Sequence, residues 1–151
     1  MPFEQTITEV QNFPAQSLFD LVLDVNSYSS FLPYCTSSKI ISHMQNEILA
    51  DVTISFSIFR YSYRSIIKYD TEKLFVEVTH DKTAHTPFVN LINTWEFTRI
   101  TNNSAQINFF VSFEFTNKIV NLLVSKVFNK ISKIILETFQ NEAKKRINAK
   151  I

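Results

Sequence analysis

The sequence predicts an α+β fold: a curved antiparallel sheet of about seven strands wrapped around one long C-terminal helix, with two short helices after strand 1. Three observations predict it. Apolar and polar residues alternate through most of residues 47–115, the period of strands with one buried face. The breaks between these runs are short and polar, as in Asp70-Thr71-Glu72-Lys73 and Thr101-Asn102-Asn103-Ser104. Short connections join antiparallel neighbours, since parallel strands need a long crossover. From Asn117 onward the period becomes that of a helix of about 30 residues, longer than a typical globular helix.

In chain order, residues 3–11 read as the first strand. Pro14 suits a first helical turn, where its missing N–H costs nothing. Leu18, Leu21, Val22 and Val25 follow at helical spacing, so residues 14–25 form a short amphipathic helix. Residues 27–32 make a second, shorter helix that Pro33 ends. Residues 38–45 contribute a strand. Over residues 47–58, Ile48, Ala50, Val52, Ile54, Phe56 and Ile58 share one face, and Asp51, Thr53, Ser55 and Ser57 take the other. Tyr61, Tyr63, Ile67 and Tyr69 continue the pattern, and Leu74, Val76 and Val78 repeat it. Val89, Leu91, Trp95 and Phe97 form the next face, interrupted by Asn93. Ile107, Phe109, Val111, Phe113 and Phe115 supply the last. Residues 81–88 are the longer loop and contain Pro87-Phe88. Asn117 is the expected N-cap of the terminal helix. Its expected apolar stripe is Val120, Leu123, Val127, Ile131, Ile134, Ile135 and Phe139, widened by Ile119, Leu122 and Phe128.

The segment Asp24 to Cys35 is apolar where a surface connection is normally polar. Tyr28, Phe31, Leu32, Pro33 and Tyr34 must pack against something or cover something. A curved sheet has a concave apolar face that needs a cover, and the terminal helix is the natural one. Where sheet and helix do not meet fully, an apolar cavity remains. The pattern points to a lidded container more than to a catalyst.

Composition narrows the function classes. At 151 residues the chain fits one domain, 1–151, large enough for a proper core. Phe contributes 15 residues, enough for a large core or for the walls of a pocket. Glycine is absent, which removes every dinucleotide fingerprint and P-loop and leaves turns to Asn and Asp. Cys35 is the lone cysteine, so no internal disulfide and no thiolate metal cluster can form. A reducing, cytoplasmic compartment is expected. No apolar run exceeds three residues, so no membrane span is expected. No Lys or Arg precedes Lys39, which argues against an ordinary signal or transit peptide.

His43, His80 and His85 lack paired ligand spacing, no Ser sits in a Gly-x-Ser-x-Gly elbow, and Cys35 has no identifiable His partner. Glu47, Asp51, Glu77 and Glu114 fall on solvent-facing positions. No metal, catalytic residue or cofactor is therefore expected. The charge is uneven. Residues 1–38 carry four acids and no base, whereas residues 117–151 carry eight bases against two acids. The basic end suits anionic lipid or RNA, or is simply a solvated face. No DNA partner is expected.

The order Leu21-Val22-Leu23-Asp24-Val25, Tyr28, Phe31-Leu32-Pro33-Tyr34-Cys35, then Pro87-Phe88, Trp95-Glu96-Phe97, Phe113-Glu114-Phe115 and a long helix with Phe128 and Phe139 resembles the coenzyme Q-binding START-domain family. That family lies within the helix-grip (START/Bet v 1-like) lipid-transport and polyketide-cyclase superfamily, whose bacterial relatives include the ribosome association toxin. Two positions depart from its pattern: Tyr34, where the family often has Trp, and Thr86, where it often has Gly. The resemblance implies a helix-grip fold that binds a lipid such as ubiquinone and chaperones it for respiration, with no bond made or broken.

A polyprenyl quinone needs a mostly apolar site with a few placed polar groups. The expected cavity residues are Phe56, Tyr63, Trp95, Phe109, Phe113, Leu123, Val127 and Ile131, any of which could instead be core filling. Tyr34, Tyr63 and Asn93 offer donors for a quinone carbonyl. Phe31, Leu32, Pro33, Tyr34 and the Pro87-Phe88 pair are candidate lids or loop anchors. Asp24 reads as a local cap or pair, and Cys35 as a small apolar filler. For membrane contact, or for RNA contact in a ribosome-associated alternative, the candidates are Lys126, Lys130, Lys133, Lys144, Lys145 and Arg146. Peripheral contact with the inner membrane fits the first of these, and a third possibility is a cavity enzyme.

Overall fold

The computed structural model describes residues 2–149; the ends of the expected 1–151 domain, Met1, Lys150 and Ile151, lie outside the described residues. The order is β1 (Phe3–Gln11), α1 (Ala15–Leu23), a 3-10 turn (Val25–Ser27), α2 (Tyr28–Phe31), β2 (Cys35–Met44), β3 (Glu47–Phe56), β4 (Phe59–Asp70), β5 (Phe75–His80), β6 (Phe88–Thr101), β7 (Ser104–Phe115) and α3 (Lys118–Ala149). The strands form one antiparallel sheet in the order β1-β7-β6-β5-β4-β3-β2. β1 thus returns to pair with the last strand, and β2 is the far edge.

Register explains which faces are buried. Ile48, Ala50 and Val52 are buried on β3, as the alternation predicts, but Ile58 is not part of that face. The strand ends at Phe56, and Ile58 stands in the hairpin turn before β4, 89% exposed. Val89 is likewise exposed. A bulge between Phe88 and Asn90 lets Phe88 turn inward and puts Val89 outside. Further bulges at Cys35/Ser37 and Ile40/Ser42 in β2 and at Arg99/Thr101 in β6 bend and twist the sheet.

Without glycine, four tight corners among the described residues are made at positive φ: Tyr34 (67°), Gln45 (53°), Ser57 (56°) and Leu74 (52°). None is Asn or Asp; as expected, Asp70 and Asp81 do hold turns, but through their side chains and not by taking the positive-φ position. Such conformations carry a steric cost for any residue with a Cβ. Asp70 supports one of these turns from a neighbouring position, its Oδ1 accepting from the Glu72 and Lys73 amides at 2.9 and 3.0 Å.

α3 begins as expected: Asn117 Oδ1 accepts from the Ile119 and Val120 amides at 2.9 and 3.1 Å. Its buried face is rotated from the expected stripe. Val120, Val124, Phe128, Ser132, Leu136, Phe139 and Ala143 are buried, whereas Ile119, Leu122 and Leu123 face solvent. The buried interior divides in two. One cluster lies under α1 and the C-terminal half of α3, around Phe19, Trp95, Phe109, Leu136 and Phe139; the other lies under the N-terminal half, around Phe88, Phe113, Phe115, Val124 and Phe128.

The loop before β6 is fastened by Thr86. Its hydroxyl meets His80 Nδ1 at 2.9 Å and accepts from the Phe88 amide at 3.3 Å. His80 is buried, and its Nε2 has no partner among the described residues. Desolvation, aided by nearby Lys82 and opposed by Asp81, holds the imidazole pKa below its usual value. The unfolded chain therefore binds a proton more readily than the folded one. Stability is expected to fall as pH drops below about 6.5 toward the lower folded-state pKa. Melting curves at several pH values check this: His80→Gln should flatten the acid-side fall, and an unchanged fall would contradict the assignment.

Candidate functional site: an apolar cavity under the long helix

Between the concave sheet face and α3 lies a partly open cavity of about 270 Å³. Small-molecule sites typically span ~300–1,000 Å³, so this one falls just below that range. Both interior clusters contribute walls: Trp95, Phe109 and Phe139 from one, Phe88, Phe113, Val124 and Phe128 from the other. Tyr34 is the exposed wall residue and marks the mouth.

Ten of the residues expected as cavity wall, donor or lid line this space: Leu32, Tyr34, Phe56, Tyr63, Phe88, Asn93, Trp95, Phe109, Phe113 and Ile131. Phe31, Leu123 and Val127 do not. Phe31 turns to α3, where it meets Phe139 edge-on at 5.4 Å and lies 5.9 Å from the Arg146 guanidinium carbon. Leu123 is exposed and Val127 only half-buried, because the helix is rotated so that Val124, Phe128 and Ser132 face the cavity. Pro33 lines the mouth as well. Pro87 is an anchor: its carbonyl accepts from the Thr116 amide at 2.9 Å and hydroxyl at 3.2 Å.

The walls hold no Asp, Glu, His, Lys or Arg among the described residues. Their ionisable groups are Tyr28, Tyr34, Cys35 and Tyr63. Desolvation, reinforced by the Tyr63 phenol and the Asp24 carboxylate, pushes the Tyr28 phenol far up, and its hydroxyl donates to the Val22 carbonyl. Burial, with the Cys35 thiol beside it, pushes the Tyr63 phenol up too. Burial also raises the Cys35 thiol, which keeps it protonated, as suits a filler and not a nucleophile. These phenols are permanent neutral donors at physiological pH.

Unpaired donors on the walls are left for a guest, Tyr63 and Asn93 among them. The Tyr63 hydroxyl has no hydrogen-bond partner among the described residues. Asn93 Oδ1 accepts from Trp95 Nε1 at 3.0 Å. An indole N–H can only donate, so Asn93 must turn its carbonyl to Trp95 and its NH₂ is left to donate elsewhere. Ser65, on the same β4 face as Tyr63, and Ser132 on α3 add hydroxyls that sequence reading passed over. The Ser132 hydroxyl donates to the Phe128 carbonyl at 3.0 Å. A serine inside an apolar helical stripe reads as a break in it, which is why the stripe was misplaced.

Outside the cavity, Lys126, Lys130, Lys133, Lys144 and Lys145 are exposed along α3. Arg146 is not a free cation: it pairs with Asp24 at 2.8 Å and Glu142 at 3.2 Å. Asp24 thus pairs across 122 positions, not locally. Among the described residues no group of three or more His, Cys, Asp or Glu converges on a common point. No helix there is long and apolar enough to cross a membrane.

The profile of polyketide cyclase / dehydrase and lipid transport proteins matches residues 12–140. The chain is 29% identical over 143 residues to the ribosome association toxin RatA of Escherichia coli K12, covering 95% of this chain and 88% of that protein. It is 26% identical over 130 residues to the mitochondrial coenzyme Q-binding protein coq10 of Schizosaccharomyces pombe, covering 84% of this chain and 78% of that one. The solved structure of the Zhui aromatase/cyclase of Streptomyces sp. R1128 superposes with a TM-score of 0.84 at 12% identity, over 97% of this chain and 96% of that one, a likeness of fold. With its sheet gripping α3 in the helix-grip arrangement, the chain belongs to the polyketide cyclase / dehydrase and lipid transport family.

Proposed function

We propose that the protein binds an isoprenoid quinone, ubiquinone in the first instance, and chaperones it for respiratory electron transport without making or breaking a bond. The observation that carries this reading is a partly open apolar cavity with unpaired neutral donors on its walls. A quinone carbonyl accepts hydrogen bonds and cannot donate, so Tyr63 and the Asn93 NH₂ are its complement. The absence of wall carboxylates and imidazoles among the described residues favours binding over acid–base chemistry. Similarity to coq10 supports the ligand class. At about 270 Å³ the cavity takes the ring and the start of a tail, and the rest of a polyprenyl chain leaves through the mouth. The protein would work in the cytoplasm, meeting the inner membrane peripherally.

Solvent extraction of purified protein followed by mass spectrometry tests this. Copurified quinone is the expected result, and a protein that neither retains nor takes up quinone would overturn it. Tyr63→Phe is expected to weaken quinone binding about fivefold, the worth of one hydrogen bond, with the fold intact. An unchanged affinity would remove Tyr63 from the site.

A ribosome-associated role is the second reading, favoured by the 29% identity to the ribosome association toxin and by the exposed lysines of α3. Sedimentation with ribosomal subunits discriminates: association at low salt that fades at high salt supports it, and none at low salt counts against it.

A further inference from the structure

Three segments meet at the cavity mouth. The Pro33-Tyr34 corner touches the end of β3 through Tyr34 and Phe56, ring centroids 5.8 Å apart, and the Ser55 amide donates to the Tyr34 carbonyl at 2.8 Å. The N-terminal half of α3 closes another side through Val124 and Phe128. Beside this mouth the molecule presents apolar side chains to solvent. Ile58, at the β3–β4 tip, is 89% exposed, and Ile119, Leu122 and Leu123 are 67%, 57% and 40% exposed. The last three share a helix face, being spaced i, i+3 and i+4, and it adjoins the face of the buried Val120 and Val124. The first turns of α3 are therefore apolar on two adjoining faces: one covers the cavity and the other looks outward.

Charge selects the occupant. Between Asp51 and Asp70, and between Glu114 and Glu137, the sequence contains no carboxylate. Arg60 and Lys118 are exposed beside the apolar patch, and Lys126 and Lys130 continue its helix face. A nucleic-acid backbone would engage these cations but leave Ile58 and Leu122 in water. An anionic bilayer satisfies both sets, apolar side chains entering the acyl boundary while cations meet the phosphates.

We propose that this face docks on an anionic lipid bilayer, with the Ile58 tip and the outer face of α3 inserted, so that the mouth opens onto the membrane and a lipid passes without crossing bulk water. The proposal rests on reading the cavity as a lipid site. It also separates two groups of lysines: Lys126 and Lys130 lie at the docking end, and Lys144 and Lys145 lie about 25 Å farther along the helix.

Sedimentation with vesicles of phosphatidylcholine, with and without phosphatidylglycerol, tests it on the full chain. Wild type is expected to bind the anionic vesicles, and less at high salt. Ile58→Asp should lower that affinity at least tenfold, and the Lys126→Glu/Lys130→Glu pair at least tenfold. The Lys144→Glu/Lys145→Glu pair should change it less than twofold. Ile58 is exposed at a turn, so its variant should keep the wild-type circular dichroism spectrum. Wild type that ignores anionic vesicles, or Ile58→Asp that binds them undiminished, overturns the proposal. So does loss of ribosomal-subunit binding in the Lys126/Lys130 variant with vesicle binding intact. Quenching of Trp95 by a water-soluble short-chain quinone should be unchanged in Ile58→Asp. Quenching without vesicle binding refutes docking alone, and vesicle binding without quenching refutes the quinone reading alone.

Discussion

Ser132→Phe is expected to abolish quinone uptake, lowering affinity at least a hundredfold, while the protein stays folded. Ser132 is buried in mid-helix and faces the cavity. Its hydroxyl donates only to the carbonyl four residues back, a bond that backbone pairing makes redundant in a helix. The new ring would enter space that already exists, so the overpacking cost of about 1–3 kcal/mol seen in filled cores is largely avoided. Ligand binding and thermal melting, measured side by side, give the check. Retained affinity would mean that quinone binds elsewhere, and a collapsed melting temperature would mean that the space is not available to a side chain.

Phe139→Ala is expected to be the most damaging single truncation for stability, costing about 3–5 kcal/mol. Its ring meets Trp95 at 5.0 Å, Phe31 at 5.4 Å and Tyr28 at 5.5 Å, all edge-on. One side chain thus joins α3 to the middle of the sheet and to the α2 corner. Edge-to-face pairs add to the burial of apolar area, and a cavity would be left where three rings converged. Calorimetry should show the melting temperature falling by roughly 10 °C. A fall within a degree or two would mean that the corner packs independently of the helix.

The fold was legible because its strands obey a period that burial enforces. Ile48, Ala50 and Val52 could not sit on the solvent face without exposing a whole register. The corner from Asp24 to Cys35 announced itself by being apolar in a connection, and Leu32, Pro33 and Tyr34 do edge the cavity. What failed had local causes. Period counting cannot see the Phe88/Asn90 bulge, so it placed Val89 inside and left Phe88 in the loop. It extended β3 through Ile58 because a hairpin without Gly, Asn or Asp gives no turn signature; Ser57 holds the left-handed position instead.

α3 was misread in phase, not in length. Leu122-Leu123 and Ile119 pulled the expected stripe toward their side, and Ser132 broke the true one. Both errors have one origin, because the helix carries a second apolar face near the mouth and a polar group in its buried face. Pairing at long range was equally invisible: nothing near Asp24 in sequence points to Arg146.

The cavity's capacity for a quinone is tested most directly by the fluorescence of Trp95, the single tryptophan, which lines the cavity wall. Titration with a short-chain ubiquinone should quench it saturably, at one quinone per chain, and Ser132→Phe should remove the saturable component. Quenching that rises linearly without saturation, or that is the same in Ser132→Phe, would contradict a quinone site beneath α3.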